Sequence, residues 1–278
     1  MHISKLTDEF VNNRMKKYCI VFIALFVVFC SLFLWSCEKI VEIDLPPIES
    51  QLVVESYIEP NLPYILSLTE SASYFDVGAF RSIADATVTI SHLGVTDTLV
   101  YIDTLNFYIG TTGVVKFDKF PYELQVKDGL GRTVSARATF LDVVRVDTVT
   151  YSLNDSAQAS VIMFFDDQMD VENYYHVWFD NAQSNSTDSL YHWSFSDKSF
   201  ENQRSLRGTG FNFDQNDTIT VRLYNISKDF YDYLETVGDA ISANGSPLGR
   251  AARIESNIEG GLGIFTALSF DEEQIILK

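Results

Sequence analysis

Cysteine is almost absent from this chain. Its three copies, Cys19, Cys30 and Cys37, all fall within the first 37 of 278 residues. Beyond them there is no thiol, which excludes a disulfide framework, a thiolate nucleophile and a cysteine-ligated zinc. Positive charge is equally scarce: 20 Lys and Arg stand against 38 Asp and Glu, for a formal net charge of −18. Such a surface repels phosphate backbones and anionic headgroups, so nucleic acid is excluded as a partner. Histidine is limited to His2, His92, His176 and His192. No His-x-x-x-His pair occurs, and the acidic turn at 166–170 lacks the glycine of a calcium loop, so no metal site is expected. No serine sits in a Gly-x-Ser-x-Gly elbow, and acid pairs are too plentiful in so acidic a chain to point to glycoside hydrolysis. Neither an enzyme nor a cofactor is expected.

One long apolar run breaks the pattern. Met15-Lys16-Lys17 is a short basic segment, and Ile20 to Phe29 with Leu32-Phe33-Leu34 forms the apolar stretch of a secretory signal. The run nears the roughly 18 residues at which a spanning helix becomes the default, but no basic stop-transfer cluster follows. It closes instead on Leu34-Trp35-Ser36-Cys37, which resembles the bacterial lipobox. That resemblance implies cleavage before Cys37 and a diacylglycerol on its thiol, a palmitate-type anchor. Residues 1–36 are then a removed extension and signal, and 37–50, acidic and carrying Pro46-Pro47, a lipidated tether. Residues 1–36 hold four basic and two acidic residues, leaving 16 basic against 36 acidic ones, a net charge near −20. Lipid, rather than a basic face, would therefore hold the protein to a membrane.

From Gln51 onward the pattern is all-β. Leu52-Val53-Val54, the alternation over 64–69, Ala86 to Ile90, Tyr122 to Val126 and Thr133 to Ala138 read as short strands, with Asp128-Gly129 as a hairpin turn. Strands at this spacing, without helical runs, predict a sandwich over 51–141, and their order resembles immunoglobulin-like or transthyretin-like domains. A second β-rich domain is expected over 142–278, with strands at 146–153, 159–165, 174–179, 190–195 and 218–224. Residues 196–217 are polar and glycine-spotted and read as a mobile loop. Ser227 to Val237 reads as the one helix, with Ser227 as cap, Phe230, Tyr233, Leu234 and Val237 on one face, and Gly238 as its end. Gly260-Gly261-Leu262-Gly263 lacks the lysine and following helix of a phosphate loop and reads as a turn or bulge opening a strand through Phe270.

Several of these pieces together resemble a known family. The lipobox with Cys37-Glu38-Lys39, Leu45-Pro46, Leu52 to Glu55, Ala86 to Ile90, Asn173-Tyr174-Tyr175, Phe230 to Leu234 and above all Ser256 to Phe265 are similar to the family labelled domain of unknown function 4249. Its members are outer-membrane lipoproteins of Bacteroidota, often encoded near TonB-dependent receptors. The resemblance implies a lipid-anchored body on the periplasmic or cell-surface side, with a TonB-dependent β-barrel receptor as partner. It lends no catalytic residues. The function expected is an accessory binding module in nutrient capture; the alternative is a structural or adhesion module of the envelope.

Two constellations are candidate sites. Tyr174, His176 and Trp178 point one way along their strand, and Tyr191 and Trp193 share a face of the next. One face of each strand must be core, and the other is free to form a ligand-stacking platform. Asp-Ser/Thr-apolar also recurs, offering Thr98, Thr104, Thr148, Ser156, Ser189 and Thr218. It resembles the O-glycosylation tripeptide of exported Bacteroidota proteins, although turns ending in Asp before a strand generate the same pattern.

Overall fold

The computed structural model describes residues 50–72, 81–111, 115–168, 171–183, 190–199, 204–244 and 253–278. Cys37 and Ser189 lie outside them. Seven strands come first: β1 (Leu52–Ile58), β2 (Ile65–Glu70), β3 (Thr87–His92), β4 (Val95–Ile102), β5 (Phe107–Ile109), β6 (Tyr122–Lys127) and β7 (Thr133–Ala138). Then follow β8 (Val146–Leu153), β9 (Gln158–Asp166), β10 (Tyr174–Asn181), β11 (Leu190–Ser196), β12 (Arg204–Gly208), β13 (Phe213–Asp214) and β14 (Thr218–Ile226). A helix, α1 (Lys228–Asn244), precedes β15 (Leu262–Ala267) and β16 (Ser269–Ile276). The chain is all-β and sandwich-like, with one α-helix among the described residues.

The first sheet runs β15-β1-β2-β5-β4-β3-β6-β7. Its strands obey the period of two: β1 turns Leu52, Val54, Ser56 and Ile58 inward and its other residues outward. The single polar member, Ser56, is satisfied by donating to the Ile65 carbonyl at 2.8 Å. The Asp128 carboxylate caps the β6–β7 hairpin, accepting from the backbone N–H of Leu130 and Arg132 and from Arg132 Nε. Arg132 reaches on to Glu70 at 2.8 Å and ties that hairpin to the end of β2. A bridge between Ser135 and Glu259 joins β7 to the segment just before β15, so both edges of the sheet meet around one core.

β15 comes from beyond residue 142 yet pairs with β1, in parallel. The 141/142 division expected from sequence is therefore crossed by one strand. The motif at 256–265 makes this possible. The Asn257 side chain donates to the Phe265 carbonyl at 2.7 Å and accepts from the Phe265 N–H at 3.0 Å, standing in for a strand neighbour. Gly263 takes a positive φ of 105° with its Cα against the Val54 backbone.

The second half is another sandwich. One sheet runs β11-β10-β14-β16; the facing one runs β12-β9-β13, with β8 also on β9. Val161, Met163 and Phe165 of β9 pack on Tyr175, Val177 and Phe179 of β10 and on Val221 and Leu223 of β14. The segment 196–217, expected as a loop, instead holds a short 3-10 turn at Asp197–Ser199 and strands β12 and β13. Ser205 and Phe213 are buried there, which a polarity average hides. The chain joining the halves is pinned: Ser269 donates to the Leu141 carbonyl, Asn225 to that of Asp142, and Val146 N–H to Asp271.

α1 lies on the outer face of the β10–β14 sheet. Ser227 caps it as expected, accepting from Phe230 N–H at 3.3 Å, and Phe230 and Tyr233 are buried. It does not stop at Gly238 but continues to Asn244. A glycine ends a helix by turning to positive φ, and Gly238 is not among the residues that do so.

Candidate ligand-binding site

The pocket grows from one consequence of strand parity. In β10, Tyr175, Val177 and Phe179 fill the sandwich, so Tyr174, His176 and Trp178 emerge on the opposite face, under α1. The antiparallel register sets Trp178 against His192 of β11 and His176 against Tyr224 of β14. Their rings cluster: His176–His192 at 5.3 Å, Trp178–Tyr224 at 5.5 Å and His176–Trp178 at 6.1 Å. Opposite them stand Tyr57, at the end of β1, and Phe230 of α1, with ring centroids 5.7 Å apart. Between these two walls is a cavity of about 380 Å³, completed by Leu234, Leu268 and Glu59.

The electrostatics follow from burial. His176 is enclosed, its Nδ1 2.8 Å from Ser194 Oγ. Burial, with a smaller contribution from His192, holds its pKa down at about 4, so the ring is neutral at pH 7. Burial pushes Tyr224 up to about 12, as it does Tyr57. Glu59 is half-buried and its carboxyl is raised by desolvation, with Arg222 pulling the other way. Glu59 is the one charged side chain among the lining residues.

One buried polar atom here lacks a partner. Trp178 Nε1 has no hydrogen bond, and the Tyr224 hydroxyl has the Arg222 guanidinium beside it but no hydrogen bond of normal geometry. An unpaired buried polar group costs about 1–3 kcal/mol.

Of the five residues expected to stack ligand, His176 and Trp178 line this cavity. Tyr174 shares their face but packs on Tyr231 and donates to Glu172, toward the start of α1. Tyr191 and Trp193 do not belong to the platform. They face the sandwich core, Tyr191 edge-on to Phe213 and Trp193 stacked on Phe179 at 5.6 Å. The residue β11 contributes instead is His192, one position away. Tyr57, Glu59, Tyr224 and Phe230 come from segments that no local pattern links to β10. Among the described residues no cluster of three or more His, Cys, Asp or Glu could hold a metal ion.

A larger depression of about 700 Å³ lies over β3, β6 and β7. Its lining, Thr87, Thr89, Gln125, Lys127, Thr133 and Ser135 among others, is the outward polar set of those strands, as on any solvated sheet face. Thr98, Thr104, Thr148 and Ser156 are exposed, and Thr218 is half-buried.

A family model described as "Domain of unknown function (DUF4249)" matches residues 38–274. No curated protein matches the chain. Solved structures that it resembles include two crystal forms of a cytokine receptor complex. One is 13% identical, with 64% of this chain and 93% of that one covered and a TM-score of 0.26. The other is 10% identical, with 80% and 94% covered and a TM-score of 0.24. The FN1–FN3 domains of chicken CNTN1 are 12% identical, with 84% and 68% covered and a TM-score of 0.29. At such scores the likeness says nothing of ligand or partner, and the all-β architecture stands on the strand pairing itself.

Proposed function

We propose that this chain, which belongs to the DUF4249 family over residues 38–274, is a lipid-anchored accessory binding module of the outer membrane. In this reading it partners a TonB-dependent barrel and captures a nutrient in the pocket under α1. The observation that carries the reading is the pocket itself: two aromatic walls from distant segments, with the buried Trp178 Nε1 left unpaired. An envelope spacer gains nothing from such an arrangement, whereas a binding site does. The family match begins at residue 38, directly after Cys37, which supports Cys37 as the lipid-bearing first residue.

A row of apolar side chains suits a protein partner. Ile65, Ile109 and Val100 are neighbours across β2, β5 and β4, with Phe107 beside them on the same outward face. Ile65, Val100 and Phe107 are exposed. Such a patch marks an interaction surface, and it serves the barrel or, in the adhesion alternative, another envelope protein.

Affinity purification from detergent-solubilised outer membrane, through a C-terminal tag, tests the partnership. A TonB-dependent barrel is expected in stoichiometric amount; recovery of the lipoprotein alone under mild detergent would refute the transport role. Intact mass of the native mature protein reads the modifications. A chain starting at Cys37 with diacylglycerol and acyl mass is expected, and Cys37→Ala should lose it. Hexose increments would place glycan on the exposed Asp-Thr and Asp-Ser positions, and a lipid-only mass would remove glycosylation from the proposal.

A further inference from the structure

We infer that the pocket under α1 takes a hydrophobic organic cation: an amine or quaternary ammonium group on an apolar body, held between the Trp178–Tyr224 and Tyr57–Phe230 walls with Glu59 as counter-charge. This rests on the capture reading of the pocket and names the chemistry of its ligand.

Three observations converge on that class. Aromatic rings from β1, β10, β14 and α1 line the cavity, and the quadrupole of such a ring attracts a cation within about 6 Å of its centroid. The imidazoles of His176 and His192 belong to the same wall as Trp178, and His176 carries no positive charge to repel a cation at neutral pH. Among the described residues, the only acidic or basic side chain other than histidine lining the cavity is Glu59. Arg222, whose charge is felt at Glu59, has its Nε committed to Glu272 and its guanidinium over Phe270. An anion would enter against Glu59 and against the field of a chain with a net charge of −18. A neutral apolar ligand would fill the volume but desolvate Glu59 further without adding a charge partner for it. A cation with an apolar body satisfies the walls and the carboxylate together.

Tryptophan fluorescence reports this site directly. Beyond the leader residue Trp35, the chain has only Trp178 in the pocket wall and Trp193 in the sandwich core. The full mature lipoprotein, reconstituted in nanodiscs, would be titrated with benzyltrimethylammonium, with its uncharged isostere neopentylbenzene and with phenylacetate. The expected result is a saturable change with the ammonium, at least tenfold weaker binding of the isostere and none of phenylacetate. Trp178→Phe should abolish most of the signal. Glu59→Gln should narrow the gap between cation and isostere at least fivefold while leaving the melting midpoint unchanged. If the isostere binds as tightly as the cation, or phenylacetate binds more tightly, the cation assignment is overturned and the capture site stands. If no probe gives a saturable response, the cavity is a packing void, and both the cation and the capture reading of it fall, whatever barrel co-purifies.

Discussion

Replacing Gly263 with alanine is expected to leave little or no folded protein. Gly263 sits in β15 opposite Val54 of β1, at φ 105°, where an added Cβ would lie 1.9 Å from the Val54 carbonyl oxygen and 3.0 Å from its nitrogen. Those atoms belong to a strand paired on both sides, with β2 on its far edge. No side chain can swing aside to make room; a backbone must move. The backbone angle compounds the clash, because only glycine adopts it without strain. β15 would have to leave β1, taking Ile264 and Phe265 out of two cores at once. The cost exceeds about 4 kcal/mol, against a typical domain stability of about 5–15 kcal/mol. Soluble yield, far-ultraviolet circular dichroism and a thermal melt would measure it. Gly238→Ala is the matched control. That position is helical, has no atom within 4 Å of an added Cβ and is not at positive φ. There alanine should stabilise by about 0.5–1 kcal/mol. A Gly263→Ala variant melting within a few degrees of the parent would show that β15 is not held as described.

The same strand marks the limit of what the sequence discloses. Leu52, Val54 and Ile58 announce β1 through their alternation, Asp128-Gly129 announces a hairpin, and Ser227 announces the start of α1. Each is a local pattern read within one element. The parallel pairing of Val54 with Gly263 spans some two hundred residues and leaves no periodic trace, so 262–267 reads as a strand of the second half although it completes the first sheet. The pocket was half legible for a related reason. Alternation sorts each strand into two faces but does not say which face of β10 joins which face of β11. Register decides that: Trp178 lies opposite His192, and Trp193 goes to the core with Val177. Tyr191 and Trp193 were the natural candidates because they are larger and more aromatic than His192. The requirement for a packed sandwich core claimed them first. Tyr224 joins the site through the β14 register that sets it against His176, and Glu59 and Phe230 only through the docking of α1 and the closing of β1 on β15.

Burial of His176 carries a consequence for stability that pH can expose. Its folded pKa is held near 4 against an ordinary value of 6.5, chiefly because the ring is desolvated. As pH falls below about 6.5, the unfolded chain binds a proton that the folded chain refuses until about pH 4, so the folded state loses ground across that window and gains nothing above it. A shift of this size corresponds to about 3 kcal/mol at the lower end. The groups facing the ring do not reverse the sign: His192 of β11 adds like charge when protonated, and Tyr224 of β14 stays neutral. Glu59, which lines the same cavity after β1, has its carboxyl raised by burial, with Arg222 pulling the other way, and gives up its charge earlier than an exposed carboxylate as acid is added. His176→Gln isolates the effect, because glutamine can keep a hydrogen bond to Ser194 Oγ without a proton to bind in that range. Urea midpoints of the parent should fall between pH 6.5 and 4.5 more steeply than those of the variant, the two converging as acid is added. Carboxylates elsewhere titrate in both proteins alike and cancel in the difference. Parallel curves would mean that the imidazole is solvated in the folded state, and the pocket under α1 would then be an open surface rather than an enclosed site.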